Sequence, residues 1–419
     1  MIRRTSLLLL LLLLLLCGLL LAACTALDEA NPYEGVLGRL TVRLRYPGEH
    51  ASWCREGVEV TATDRQSGNR YTARTDAQGE ASFRMPNGLY ALAVSDRADS
   101  QTLFNGAVEQ LRLTAGGEAV AELELRCVRP GGIVIREIYT GGCPATPATG
   151  SYVYDKYVIL HNNDSETRYL DGLCLGMVDP YNSKGASGNY WTSLAPDGGI
   201  LFRDYASVPD AVWQFPGSGR DFPLAPGADA VVALNGAVDH TATYPLSVNL
   251  NGEGYFVCYN ETYYPDPRSH PVPGDRIDPA RHLRLLKKTG LAKVYVVSNN
   301  SPAVILYRAP EGFDLEGYLA DDGQSLIVRG SLSYTRIPWE WLIDGVEVFD
   351  ATGTTNAKRL RSDIDAGAVT FVGLPLGRTL HRRLDEQASE AAGYAIYQDT
   401  NNSSDDFYER ATQSLRDEP

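Results

Sequence analysis

Five sets of residues in this 419-residue chain could do chemistry: six histidines, seven cysteines, two acidic clusters, one basic spot and two aromatic groups. His50, His161, His240, His270, His282 and His381 stand apart, with no pair at metal-ligand spacing. There is no Gly-x-Ser-x-Gly elbow, no His-Glu-x-x-His helix and no phosphate-cradling Gly-x4-Gly-Lys-Ser/Thr loop. A Ser-His-Asp triad can still assemble from distant residues, so a hydrolase remains an alternative. Asp399, Asp405 and Asp406 offer the oxygen ligands that Ca²⁺ takes in sixes to eights, although their spacing is not that of an EF-hand loop. Asp and Asn in such a run also cap turns, and Asp363 and Asp365 pose the same choice. No cofactor is expected beyond that Ca²⁺ candidate. Tyr181, Tyr190 and Trp191 in one stretch, and Tyr259, Tyr263 and Tyr264 in another, are candidate binding residues for a ligand or partner. Large, rigid, amphipathic rings often anchor interfaces. Arg378, His381, Arg382 and Arg383 form a basic spot that would suit a carboxylate.

The cysteines divide by position. Arg3 and Arg4 precede an apolar run, Leu7 to Leu16 and on to Leu21, which ends in Ala22-Ala23-Cys24. A basic start, an apolar stretch and small residues before the cut are the anatomy of a secretory signal. The Leu-Ala-Ala-Cys ending resembles the bacterial lipobox, which implies acylation of Cys24 after removal of residues 1–23, with Cys17 lost. The polar, turn-rich stretch 24–38 then reads as a tether. Its Asp28 and Glu29 resemble the surface-export signals of Bacteroidetes lipoproteins. Cys54, Cys127, Cys143, Cys174 and Cys258 remain in a compartment that permits disulfides, and sequence alone leaves their pairing open. Cys54–Cys127 is preferred because both fall in the first expected domain. Cys143–Cys174 is the second choice, with Cys258 left as a buried apolar thiol.

A net charge of −14 repels phosphate backbones, which excludes nucleic acid as a partner class. Forty Gly, 24 Tyr and only three Met fit an extracytoplasmic β protein with many turns. Residues beyond the signal are too many for one ordinary core.

The elements that must position these groups are strands. Leu40, Val42 and Leu44 alternate with Thr41, Arg43 and Arg45, as a half-buried strand requires. Val58, Val60 and Ala62 repeat the pattern, as do Ala81, Phe83 and Met85, then Tyr90, Leu92 and Val94, then Ala121, Leu123 and Leu125. Ser67-Gly68-Asn69, Asp76-Ala77-Gln78-Gly79 and Pro86-Asn87-Gly88 punctuate them. Residues 39–128 are therefore expected to form an antiparallel sandwich. Arg129-Pro130-Gly131-Gly132 breaks the chain. Two strands follow, around Ile133 to Tyr139 and Tyr157 to Leu160, then a strand at Ala230 to Leu234 and two more apolar strands at Val294 to Val297 and Val304 to Tyr307. The long segments 179–219 and 246–286 read as insertions, where binding surfaces usually sit.

The stretch Thr75-Asp76-Ala77-Gln78-Gly79-Glu80-Ala81-Ser82-Phe83, continuing to Tyr90-Ala91-Leu92, resembles the carboxypeptidase-regulatory or transthyretin-like module, a structural sandwich. Residues 133–415 resemble a lamin-tail domain, an immunoglobulin-like β fold. The resemblance rests on Glu137, Asn162, Leu170-Asp171-Gly172, Leu224-Ala225-Pro226-Gly227 and Asp399-Thr400-Asn401-Asn402. Ile159 departs from it, since an acidic residue is usual there. The pairing resembles an uncharacterised family of Bacteroidetes surface lipoproteins, which implies association with TonB-dependent outer-membrane receptors.

The expected protein is mostly β, lipid-anchored in the outer membrane and facing the cell surface, with a non-catalytic binding or accessory role. A surface hydrolase with its site in the insertions, or an adhesive stalk component, are the alternatives. Replacing Cys24 by Ser should abolish incorporation of labelled palmitate and move the protein from the outer-membrane to the soluble fraction. Unchanged labelling would refute lipidation at this residue.

Overall fold

The computed structural model describes residues 37–417, apart from 65–66, 68, 99–101, 129–131, 185–189, 195–199 and 354. The expected signal peptide, Cys17, Cys24 and residues 24–36 of the tether lie outside the described residues. The chain is mostly β, as its alternating patterns imply. Among the described residues no helix is long and apolar enough to cross a membrane.

Residues 38–128 build two facing sheets. A three-stranded sheet runs in the order Glu80–Met85, Gly38–Arg45, Glu118–Glu124. A five-stranded sheet runs Arg70–Arg74, Glu59–Asp64, Gly88–Arg97, Leu103–Leu113, Arg126–Val128. The alternating residues Leu40, Val42, Val60, Phe83, Met85, Leu92 and Leu123 all enter the shared core. Two features depart from the expectation. Gly38–Arg45 pairs in parallel with Glu118–Glu124, so the sandwich is not purely antiparallel. The strand Leu103–Leu113 carries no clean alternation, because Asn105-Gly106 interrupts it. Gly106 is required there, since an added Cβ would lie 2.3 Å from Leu123 Cδ2.

The rest of the chain is organised around two six-stranded sheets. The first runs Phe256–Val257, Asp229–Ala233, Tyr157–Asn162, Ile133–Tyr139, Thr379–Arg382, Phe407–Arg410. The second runs Arg284–Lys288, Ala211–Gln214, Cys174–Met177, Ala303–Tyr307, Leu342–Asp350, Val369–Phe371. The expected strand at Val294 to Val297 is not formed, and that stretch lies outside any strand. Ile135, Val158, Leu160 and Val232 of one face meet Leu175, Trp213, Val304 and Val346 of the other. Both sheets are buried on their outer faces as well, which is why strands such as Tyr157–Asn162 read as continuous apolar runs. Val248, Leu250 and Ile277 cover Tyr139, Tyr157 and Ile159. Ala206, Val208, Ile337, Trp339 and Trp341 cover Ile305 and Tyr307. The long insertions are thus packing layers, and Ile159 is apolar because it faces one of them.

All five described cysteines are free thiols. Cys174 lies in the layer outside the second sheet, whereas Cys143 lies with Tyr139 and Asp155 outside the first. Both sheets separate them, well beyond the roughly 7 Å Cα reach of a disulfide, so the expected Cys143–Cys174 bridge is not formed. Cys258 is fully buried in the inner core, as expected of an apolar thiol. Cys54 and Cys127 are exposed and unbridged as well. Their segments are joined by Trp53 and Phe104, whose rings stand 5.6 Å apart, with Phe104 directly opposite Cys127.

Arg382 ties the two large sheets together. Its guanidinium is buried and donates to Asp344 Oδ2 at 2.6 Å, Asp399 Oδ1 at 3.0 Å and the Ile135 carbonyl at 2.8 Å. Asp406 Oδ2 stands 3.7 Å away. Burial pushes the Asp344 carboxyl up to about 6 and Asp406 up to about 8, against the pull of the guanidinium. Arg382 therefore does not belong to a surface basic spot, and Asp399 and Asp406 surround a guanidinium rather than the candidate Ca²⁺. Asp405 pairs instead with Arg70 at 2.7 Å. Removing one partner of a buried ion cluster costs about 3–5 kcal/mol, because uncompensated charge remains. Arg382→Met should accordingly lower the unfolding temperature by on the order of 10 °C, measured by calorimetry. An unchanged transition would refute the linking role.

Candidate functional site

The expected aromatic platforms divide on inspection. Trp191 is buried with Ile327 and Tyr334, and its Nε1–H donates to Asp179 Oδ2 at 2.8 Å. Tyr190 also hydrogen-bonds Asp179, and Arg329 sits 3.5 Å above its ring. Trp191, Ile327 and Tyr334 thus form a small core against which the half-buried Tyr190 packs. Tyr181 stays partly exposed, its hydroxyl donating to the Val297 carbonyl at 3.0 Å. In the other group Tyr264 is core, packed against Trp213 and Tyr295. Tyr259 stacks on His270 with an interplanar angle of 11°, and Tyr263 is exposed. The structure therefore does not gather the six residues into one surface.

A second arrangement brings Cys143, Asp155, Ser247 and His240 close together, outside the first large sheet. Asp155 Oδ2 accepts from Ser247 Oγ at 2.5 Å and from Tyr139 OH at 2.9 Å. His240 is committed elsewhere, with Nε2 on the Gly236 carbonyl at 2.6 Å and Nδ1 on Tyr152 OH at 2.7 Å. Its Nε2 must carry the proton to donate to a carbonyl, which leaves Nδ1 to accept from the tyrosine. The imidazole is thus not directed at Ser247. Burial also pushes the Cys143 thiol up to about 12, so it stays protonated and a poor nucleophile. These residues hold the 236–247 segment to the sheet.

The site with unused chemistry lies where the sandwich meets the C-terminal body. Three arginines on the sandwich reach across: Arg97 to the Asp399 carbonyl at 2.8 Å, Arg70 to Asp405, and Arg126 to Asp363 at 2.9 Å. Beside them opens a cleft of about 420 Å³. One wall carries Asn105, Arg126, Glu122 and Glu124; the other carries Phe202, Arg203, Asp204 and the segment 361–363. Cross-strand pairing sets Asn105 directly opposite Arg126. Asp363 is held by both Arg126 and Arg361, the latter at 2.6 and 2.8 Å. Glu122 is taken by Arg45 at 2.5 Å. Among the described residues Glu124, Arg203 and Asp204 have exposed charged groups and no ion-pair partner. Asn105 is fully buried, and neither its Nδ2 nor its Oδ1 meets a hydrogen-bond partner; Ser362 Oγ is in the same position. An unsatisfied buried polar group costs about 1–3 kcal/mol, so Asn105 and Ser362, set beside the uncommitted charges, suit a ligand. Clefts between domains are common ligand sites.

Sequence reasoning missed this cleft because its members come from three separated stretches with no motif. The available signal was Asn105-Gly106 directly after the apolar Leu103-Phe104 of a strand. A second cavity of about 550 Å³, near Glu253, Asp275 and Asp278, holds less unused chemistry. Asp275 accepts from Asn251 and Asp278 caps the Ala280 N–H. Among the described residues no cluster of three or more His, Cys, Asp or Glu is arranged to hold a metal.

Residues 225–414 match the model of a family described as a protein of unknown function (DUF4876). The chain is similar to the crystal structure of a DUF4876 family protein from Bacteroides thetaiotaomicron, at 25% identity and a TM-score of 0.54. The likeness covers 88% of this chain and 94% of that one, so it extends across both halves. A DUF3823 family protein from Parabacteroides merdae matches 43% of this chain and 92% of its own, at 15% identity and a TM-score of 0.18. No curated protein matches. The likeness is to an uncharacterised Bacteroidetes-type family.

The Tyr259–His270 stack makes a pH dependence. Burial pushes His270 down to about 4, partly offset by the polar backbone near Cys258 and by the Asp266 carboxylate. A depressed histidine leaves stability intact above its ordinary value near 6.5 and removes it as pH falls toward 4. The loss between pH 7 and pH 5 should be roughly 2 kcal/mol. His270→Phe, which keeps the stack, should flatten that slope in urea unfolding at the two pH values.

Proposed function

We propose that this chain is a lipid-anchored outer-membrane protein, exposed at the cell surface, that binds a solute and serves as an accessory to a TonB-dependent uptake system. The observation that carries the reading is the cleft between sandwich and body, where Asn105 and Ser362 hold unsatisfied groups beside the uncommitted charges of Glu124, Arg203 and Asp204. Support for the location comes from the Leu21-Ala22-Ala23-Cys24 ending and the acidic residues that follow it. Support for the family comes from the match over residues 225–414 and the Bacteroides structure, and we extend membership to residues 39–128. The lipid fixes the protein beside the membrane, the sandwich raises the body, and the cleft collects a solute for a neighbouring barrel. Multiple acyl chains give the firm attachment that such a role requires.

Affinity purification of the tagged lipoprotein from mildly cross-linked outer membranes tests this reading, with co-purifying proteins identified by mass spectrometry. The expected outcome is stoichiometric recovery of a TonB-dependent barrel. Recovery of the tagged protein alone would refute the accessory role.

A further inference from the structure

The chemistry of the cleft is more selective than its volume. Glu122, Glu124, Asp204 and Asp363 stand against Arg126, Arg203 and Arg361, so the lining is close to charge balance. A strongly anionic ligand would meet the carboxylates, and a strongly cationic one the guanidiniums. Internal pairing also consumes Glu122, Arg126, Arg361 and Asp363. What is left is a set of opposite hydrogen-bonding characters placed side by side. Glu124 and Asp204 only accept, Arg203 only donates, and the Asn105 amide and the Ser362 hydroxyl do both.

A hydroxyl group satisfies each of these, as an amide also could, since it donates to a carboxylate and accepts from a guanidinium. Neighbouring hydroxyls on a ring also match the paired donor and acceptor of an amide. The half-buried ring of Phe202 lies in the same wall and offers an apolar surface to the C–H face of such a ring. A peptide added as an extra strand would be recognised chiefly through main-chain groups, whereas the unsatisfied groups here are side chains. We infer that the cleft binds a neutral, polyhydroxylated ligand, a glycan segment, through Asn105, Ser362, Glu124, Arg203 and Asp204. The inference rests on the reading of this chain as a binding protein.

The amide of Asn105 is sealed from solvent, so the ligand must gain access to it. Arg126 sits opposite Asn105 in the sheet, and its side chain is 63% exposed while Asp363 is 20% exposed. An arginine so exposed exchanges its partner for water readily, and Arg361 still holds Asp363. The route to the amide is placed at Arg126, whose release from Asp363 lets the glycan hydroxyls replace the lost contacts.

The test uses the full mature chain with Cys24→Ser, probed against an array of neutral, sialylated and sulfated oligosaccharides and against an array of unstructured peptides. Neutral glycans should be the class retained, and their affinity should fall tenfold or more in Asp204→Ala, an exposed change that leaves the core untouched. Asn105→Leu, which keeps the volume, should weaken binding similarly while thermal unfolding confirms the fold. Hits confined to charged glycans or to peptides, no hits at all, or neutral-glycan binding unaffected by Asp204→Ala would each overturn the assignment. A failed array with a barrel still recovered removes the glycan and leaves the accessory role. Glycan binding without a barrel does the reverse.

Discussion

A guanidinium removed from water must be surrounded by its compensating groups, and Arg382 imposes that condition on the whole C-terminal body. The ion sits between two sheets whose facing surfaces are otherwise mainly apolar, beside the Ile135 N–H that donates to the same Asp344 carboxylate. Asp344 comes from the second sheet, the Ile135 carbonyl from the first, and Asp399 and Asp406 from the closing segment. Apolar packing tolerates small slips in register, but this arrangement does not, because each displaced partner exposes charge to a low-dielectric interior. Arg359 and Glu347 repeat the device nearby, with both side chains fully buried and Arg359 also donating to the Ser301 carbonyl at 2.7 Å. Asp365 links the two, accepting from the Glu347 and Ser403 N–H groups. The run Asp399-Thr400-Asn401-Asn402 thus acts as the latch that closes the sheets.

This latch also shows how far the sequence could be read. The acidic run and the basic run were both legible as features, yet a charged side chain gives no local sign of whether it faces water or a buried partner. Arg382 therefore reads as part of a basic spot, and Asp399 and Asp406 read either as turn caps or as Ca²⁺ ligands. Period-two patterns were more reliable, since Leu40, Val42 and Leu44 report burial on one face directly. They give way to unbroken apolar runs where both faces are covered, as in Tyr157–Asn162. Trp191 and Tyr264 look the same in sequence whether they form a core or a platform, and only the packing of layers over the large sheets decides it.

The cleft was illegible for a further reason. Asn105, Asp204 and Asp363 are separated by long stretches of chain and come together only when the sandwich docks on the body. That docking is itself polar, made by Arg70, Arg97 and Arg126, and no apolar stripe announces it. The same polarity that hides the junction from pattern reading leaves room there for unpaired groups.

The parallel pairing of the first strand has a mechanical meaning. Gly38–Arg45 is the middle strand of its sheet, bonded to Glu80–Met85 on one side and Glu118–Glu124 on the other. Any load carried along the preceding segment enters the fold at Gly38. Tension along a strand loads its ladder in shear, and this central strand carries two ladders where an edge strand would carry one, so twice the bonds must yield. A chain towed from its N-terminal side is gripped where the sheet resists most.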